Sequence, residues 1–225
     1  MRLLKDVMPG EQVGDWIIFK KFIPGHRYGI GADVSEGIGR DANAAVVIDF
    51  SSKQRFTTLP EVVARYKNNR IDPNTFSYEL ASMGNQYGSC IIAVERNNHG
   101  HATINKLKEM YFNLYREHTK DRELDKMTEK LGWHTTAATK PELLMSLKFA
   151  IENNELLIPD RSALMELKKY GSEDLKQIRY DDKLSQHFDI LMALAIAWEM
   201  RNHAVMSGGK VTLIEEPLNA KRIIQ

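Results

Sequence analysis

YGIGADVSEG, residues 28–37, is an apolar run of the kind found inside a sheet, carrying Asp33 near its C-terminal end before it breaks at Ser35-Glu36-Gly37. Burying an unpaired carboxylate costs several kcal/mol, so such an acid is normally neutralised, hydrogen-bonded or bound to a cation. Taken alone, the stretch leaves two readings open. Either Asp33 caps the glycine turn and faces water, or it belongs to a site.

Working outward, residues 43–50 (NAAVVIDF) are rich in alanine and β-branched side chains and read as a second strand. It is joined to the first by an extended turn of eight residues, which permits a hairpin. Upstream, residues 15–22 (DWIIFKKF) read as a strand that Pro24-Gly25 turns into the central one, with Lys20-Lys21 at a solvated edge. Residues 61–67 (EVVARYK) alternate as a third strand, although Glu, Ala and Arg would suit a helix equally well. At Asp72 the period changes. Asp72 as N-cap, Pro73 in the first helical position and Phe76, Leu80, Met83 and Tyr87 at helical spacing predict a helix ending before Gly88.

Residues 90–94 (CIIAV) form a continuous apolar run, the pattern of a strand covered on both faces, and they too end in an acid, Glu95. Two buried-type strands therefore each deliver a carboxylate at the C-terminal end, where ligands collect in an open α/β sheet. A helix is expected over residues 102–115. The charge-dense residues 118–130 read as a solvated helix or loop. Residues 131–135 read as a short strand in which Trp133 is a packing residue or, less simply, a base-stacking platform, and Thr139 and Glu142 have capping-box spacing at the head of a helix running through Leu143, Leu144, Leu147, Phe149 and Ile151. A brief strand over 156–158, a helix over 162–170 and a hairpin or loop over 171–182 follow. Residues 185–204 (SQHFDILMALAIAWEMRNHA) are apolar almost all round, which marks a helix buried at the centre of the domain, with Asp189 in its first turns. His187 either touches substrate or metal or finishes the helix N-terminus.

The chain has 225 residues, 43% hydrophobic and 27% charged, enough for one sizeable core. A single domain over residues 1–205 is expected, followed by a tail, 206–225, opened by the linker-like Ser207-Gly208-Gly209. A net charge of +1 neither excludes nor announces a polyanionic partner. The lone Cys90 excludes an internal disulfide, and no apolar run approaches the ~18 residues of a membrane span. With no signal-like N-terminus, a cytosolic protein is expected.

Asp33, Glu95 and Asp189 stand out by context. Hard divalent cations prefer oxygen ligands, and two ions about 3.5–4 Å apart can activate a water and stabilise the leaving oxygen in phosphodiester cleavage. Antiparallel strands, a helix, a strand beside the first, then alternating helices and strands make the ribonuclease-H-like order: an α/β mixed sheet flanked by helices.

YGIGADVSEGIGRDANAAVVID, IIAVERNNHG, LGWHTTAATKPELL, NNELLIPDRSALMEL and QHFDILMALAIAW occur in this order, and the chain that carries them resembles the C-terminal nuclease domain of the large terminase subunit of tailed bacteriophages. The resemblance spans most of residues 28–198. It implies that Asp33, Glu95 and Asp189 are catalytic and bind Mg²⁺ or Mn²⁺ in a two-metal site. It further implies a metal-dependent endonuclease that cuts double-stranded viral DNA, with little sequence specificity, when packaging starts and ends. The implied partners are that DNA, the portal, the small terminase subunit and an N-terminal ATPase, and the implied location is the cytoplasm of the infected host. No phosphate-loop motif occurs in the sequence, so the ATPase part is expected to be absent. The final helix departs from the family pattern: Met192 stands where a second acid precedes the Ala-Leu pair, and Phe188, not an acid, precedes Asp189. Arg40 and Lys140 are candidate phosphate contacts, with His187 a possible substrate contact. Asp181 and Asp182 are accounted for by solvent, an N-cap role or pairing with Lys183. Two other readings remain: a DNA-gripping module that cuts weakly by itself, and a related junction or RNA-strand nuclease.

Overall fold

A computed structural model describes residues 7–39, 41–54, 57–121, 126–170 and 188–206. Arg40, Asp181, Asp182 and His187 lie outside these residues, as does the hairpin or loop expected over 171–182.

The strands β1 (Glu11–Val13), β2 (Trp16–Ile18), β3 (Tyr28–Asp33) and β4 (Asn43–Asp49) come first, then the two-residue pieces β5 (Lys53–Gln54) and β6 (Thr57–Thr58), β7 (Glu61–Asn68), and β8 (Ile91–Val94). β5 and β6 pair only with each other, and the rest form a six-stranded sheet in the order β1-β2-β7-β4-β3-β8. Every pairing in it is antiparallel except β3 with β8. Helices α1 (Pro73–Gln86) and α2 (Gly100–Leu107) cover one face, and α3 (Thr139–Glu152), α4 (Arg161–Lys169) and α5 (Asp189–Glu199) the other. This is a ribonuclease-H-like mixed sheet flanked by helices.

Strand alternation sorts the side chains between two cores. On β3, Tyr28, Ile30 and Ala32 join the core under α1. Gly29 and Gly31 face α5. A Cβ on Gly31 would stand 2.2 Å from the backbone nitrogen of Ala197 and 2.3 Å from the carbonyl of Ala193. The missing side chain therefore lets the helix backbone lie directly on the strand. Asp33 continues the same face and comes under the N-terminal end of α5. On β8, Ile91 and Ala93 face α5 while Ile92 and Val94 face α1. Glu95 therefore falls on the α5 side as well.

Local chemistry explains the boundaries. Asp72 caps α1 by accepting from the backbone N–H groups of Asn74 (3.0 Å) and Thr75 (3.1 Å), with Pro73 in the first turn, as the sequence predicts. Several expectations are corrected. The strand over residues 15–22 is only Trp16–Ile18, because Phe19 and Lys20 both donate to the carbonyl of Val63 and break the ladder. The helix over 102–115 stops at Leu107, and Tyr115 returns to the sheet by donating to Ile92 at 2.9 Å. In the charged segment 118–130 the described residues are not helix but belong to two antiparallel strands, β9 (Arg116–Asp121) and β10 (Lys126–Leu131). Its mixed signs pair across the strands, with Arg116 and His118 3.7 and 3.6 Å from Glu129. The capping box at Thr139 is replaced by one turn earlier in the chain: the Thr136 and Thr139 hydroxyls each accept the other's backbone N–H, at 3.0 and 2.9 Å. Phe149, expected to be apolar-facing, is 58% exposed.

Candidate active site

The parallel register pairs Ala32 with Val94, and Glu95 donates its backbone N–H to Ala32 at 2.8 Å. Asp33 and Glu95 therefore leave the sheet side by side. On its other flank the chain around Glu95 is held by Trp133: Arg96 donates to the Trp133 carbonyl (2.6 Å) and Trp133 to Val94 (2.8 Å). Asn97 then fixes the Glu95 side chain. Its amide nitrogen donates to Glu95 Oε2 and to the Val34 carbonyl, both at 3.0 Å, while its oxygen accepts from Gly100 at 2.7 Å. Gly100 fits only without a side chain, because a Cβ would stand 1.8 Å from the Glu95 carbonyl.

Asp189 is the first residue of α5 and is 5% exposed. Its Oδ2 accepts the backbone N–H of Ala42 at 3.2 Å and lies 3.5 Å from Lys67 Nζ. Lys67 sits at 2.8 Å from Oε1 of Glu166, whose Oε2 accepts the backbone N–H of Leu191 at 3.0 Å. Phe188 offers no side-chain cap to α5, so Glu166 of α4 satisfies one of its orphan N–H donors from a neighbouring helix.

Asp33, Glu95, Asn97, His99, Lys140, Asp189 and Met192 line a pocket of about 350 Å³. The turn after β3 contributes Glu36, Gly37 and Asp41. Gly37 has φ +75, and a Cβ there would stand 2.0 Å from the Ile71 carbonyl, so only glycine lets the turn dock on the chain before α1. Lys140, at the head of α3, is the one lysine or arginine among the described lining residues.

The electrostatics follow from this crowding. Burial, then the Glu95 carboxyl hydrogen-bonded beside it, then Asp189, push Asp33 well above the usual carboxylate range, against the opposing charge of Lys140. Burial likewise raises Asp189 to about 6, although Lys67 and the Ala42 N–H both oppose the shift. Burial pulls the Lys67 ammonium down, but the hydrogen bond and charge of Glu166 outweigh it and the net shift is upward.

The donor chemistry fits a hard divalent cation. The acids offer oxygen only, Asp33 and Glu95 are pressed together, and Asp41 Oδ1 is buried at the pocket with no hydrogen-bond partner among the described residues. In this arrangement no three His, Cys, Asp or Glu side chains among the described residues are gathered tightly enough to share one ion. Asp33 and Glu95 form the close pair, and Asp189 is held to the Lys67 side.

Of the predicted site residues, Asp33, Glu95, Asp189 and Lys140 meet in this one pocket. Sequence reasoning missed Asn97, Asp41, Lys67 and Glu166. Asn97 was within reach, two residues after a strand-terminal acid and three before an obligatory glycine. Lys67 and Glu166 carry no local signal beyond charge on otherwise apolar elements.

No family model matches the chain. Among solved structures, the large terminase nuclease from thermophilic phage G20c with bound magnesium superposes with a TM-score of 0.62 at 18% identity, over 86% of this chain and 91% of that one. The same nuclease with bound cobalt gives 0.60 at 19% identity, over 86% and 91%. The large terminase nuclease domain of Thermus phage P74-26 gives 0.58 at 17% identity, over 86% and 90%. This chain thus has the fold of the phage large-terminase nuclease domains.

Proposed function

We propose that this protein is the nuclease domain of a large terminase, a divalent-metal-dependent endonuclease that hydrolyses phosphodiester bonds of double-stranded DNA when viral genome packaging starts and ends. The observation that carries the reading is the pairing of Asp33 and Glu95 at the C-terminal ends of adjacent parallel strands, with Asp189 brought to the same pocket by α5. The fold is that of terminase nucleases, one of which has been solved with magnesium and with cobalt.

Asp33 and Glu95 would hold one ion, and Asp189 with Asp41 would supply oxygens toward a second. Bound there, a divalent ion would activate water at neutral pH and stabilise the developing charge on the leaving oxygen. Mg²⁺ or Mn²⁺ suits an oxygen-only donor set better than zinc, which favours His and Cys. The chain's own residues do the rest. Asn97 keeps the Glu95 carboxylate aimed at its partner, and the Ala42 N–H and Lys67 orient Asp189. Lys140 offers a cation to a non-bridging phosphate oxygen, and Arg40 is the second candidate phosphate contact. Phosphate contacts of this kind position DNA without reading its sequence, so cutting with little sequence preference follows. His187 is retained as a possible substrate contact. The portal, the small terminase subunit and an ATPase domain are the proposed partners, in the cytoplasm of an infected bacterium.

The test is relaxation and linearisation of supercoiled plasmid with Mn²⁺ or Mg²⁺, with four-way junctions and RNA–DNA hybrids assayed in parallel. Metal-dependent linearisation, blocked by EDTA and by Asp33→Asn, is expected. Full activity in EDTA would overturn the metal reading, and cleavage confined to junctions or hybrids would overturn the substrate.

A further inference from the structure

The charge arrangement behind Asp189 points to a second role for this pocket wall. β7 carries Arg65 and Lys67 on the face toward α4 and α5. Arg65 is bound to Asp160 at 3.0 Å, and Asp160 also caps α4. Lys67, one strand repeat further, contacts Glu166 at 2.8 Å and Asp189 at 3.5 Å. Glu166 is spoken for at both oxygens, one by Lys67 and one by the Leu191 N–H, so it anchors the ammonium and cannot itself turn to the pocket. Asp189 is different. Among the described residues its carboxylate meets the Ala42 N–H and Lys67 Nζ through Oδ2, and the residue lines the pocket. Met192, one helical turn further along, also lines the pocket and supplies no oxygen.

We propose that Lys67 is a resident counter-ion for Asp189, so that a second divalent cation binds at Asp189 only in competition with the lysine. The proposal rests on the nuclease reading above and adds how the site is loaded. A lysine ammonium and a divalent ion attracted to one carboxylate repel each other, the more strongly the less water screens them. A first ion held by Asp33 and Glu95 would not have to displace Lys67, whose ion-pair partners are Glu166 and Asp189. The second meets a carboxylate already neutralised. The Lys67 side chain is 34% exposed, so it is not sealed from solvent. A DNA phosphate then brings the negative charge that both cations need, and full metal loading is coupled to the presence of DNA. Lys67 is thus a positioning residue that acts through Asp189.

The experiment is calorimetric titration of the DNA-free protein with Mn²⁺, comparing wild type, Lys67→Gln and Lys67→Met, with thermal melting followed by circular dichroism to show that each variant is folded. Gln retains a donor for Glu166 without the charge, so it keeps the test valid if the Met variant does not fold. Wild type is expected to bind one ion tightly and a second weakly. Lys67→Gln should tighten the second by about tenfold or more while the first is unchanged, the size expected when a neighbouring like charge is removed. A second-ion affinity that is unchanged or weaker in Lys67→Gln overturns the proposal. Asp33→Asn separates this from failure of the underlying reading: it should remove the tight ion. If it leaves Mn²⁺ binding intact, the metal site itself is wrongly assigned.

Discussion

The central sheet buries acids at both ends, and the two ends treat them differently. At one end, Asp49 of β4 lies opposite Tyr28 and Glu61. Asp49 is 2.7 Å from His26 and accepts the Ser51 N–H at 2.8 Å, and Glu61 is paired with Lys20 and accepts the Ser52 hydroxyl at 2.7 Å. At the other end, Asp33 is pressed against Glu95, and Lys140 is the one lysine or arginine among the described residues lining their pocket. The first end is what a fold does with a buried acid it must tolerate: it supplies a protein cation and donors. The second end stores like charge against like charge, which folding alone does not reward. Carboxylate pressed against carboxylate at a sheet edge, as at Asp33 and Glu95, is therefore evidence of a ligand.

This contrast can be broken most forcefully through activity. Asp33→Asn is expected to lower plasmid cleavage by about three orders of magnitude or more, since a metal ion contributes several kcal/mol of transition-state stabilisation. The melting temperature of the metal-free variant should not fall. Glu61→Ala should do the reverse. It strands Lys20 beside a cavity, and because Lys20 is 33% exposed we expect a cost of about 2–3 kcal/mol, near the low end for breaking a buried pair, read by denaturant unfolding. Cleavage per folded molecule should be unchanged.

The pH dependence sharpens the same comparison. Asp33 and Asp189 have folded-state values above the ordinary 3.8, so the folded protein holds their protons more tightly than the unfolded chain. Their contribution to stability is full below that ordinary value and is lost as pH rises, for Asp189 through about 6. The metal-free protein should thus lose up to about 3 kcal/mol from Asp189 between pH 4 and 7. Asp189→Asn should flatten that loss, and melting curves across this range with EDTA would detect it. A smaller effect is expected at Asn97. Asn97→Ala frees the Glu95 carboxylate and should weaken metal affinity or activity by about 10- to 100-fold, the usual consequence of removing a residue that orients a ligand.

The elements that place the acids were legible because they obey local rules. β3 and β8 read as buried strands from apolar runs, α1 from Asp72-Pro73, and α5 from apolar residues on every side. The glycines at 29 and 31 were visible but their purpose was not, since it depends on a helix about 160 residues later lying on that strand. The β9–β10 pairing was missed because mixed charge signals solvent exposure and says nothing of period until its cross-strand partners are known. Lys67 and Glu166 were missed for a related reason. Their chemistry exists only between elements, and a lone charge in a strand or helix reads as surface until its partner is in view.

The most direct test is a crystal of the protein soaked in Mn²⁺ and measured for anomalous scattering. A peak bridging the carboxylates of Asp33 and Glu95, with none at Asp49 or Glu61, is the predicted result. A map with no peak between Asp33 and Glu95, or with one at the Asp49–Glu61 end instead, would contradict it.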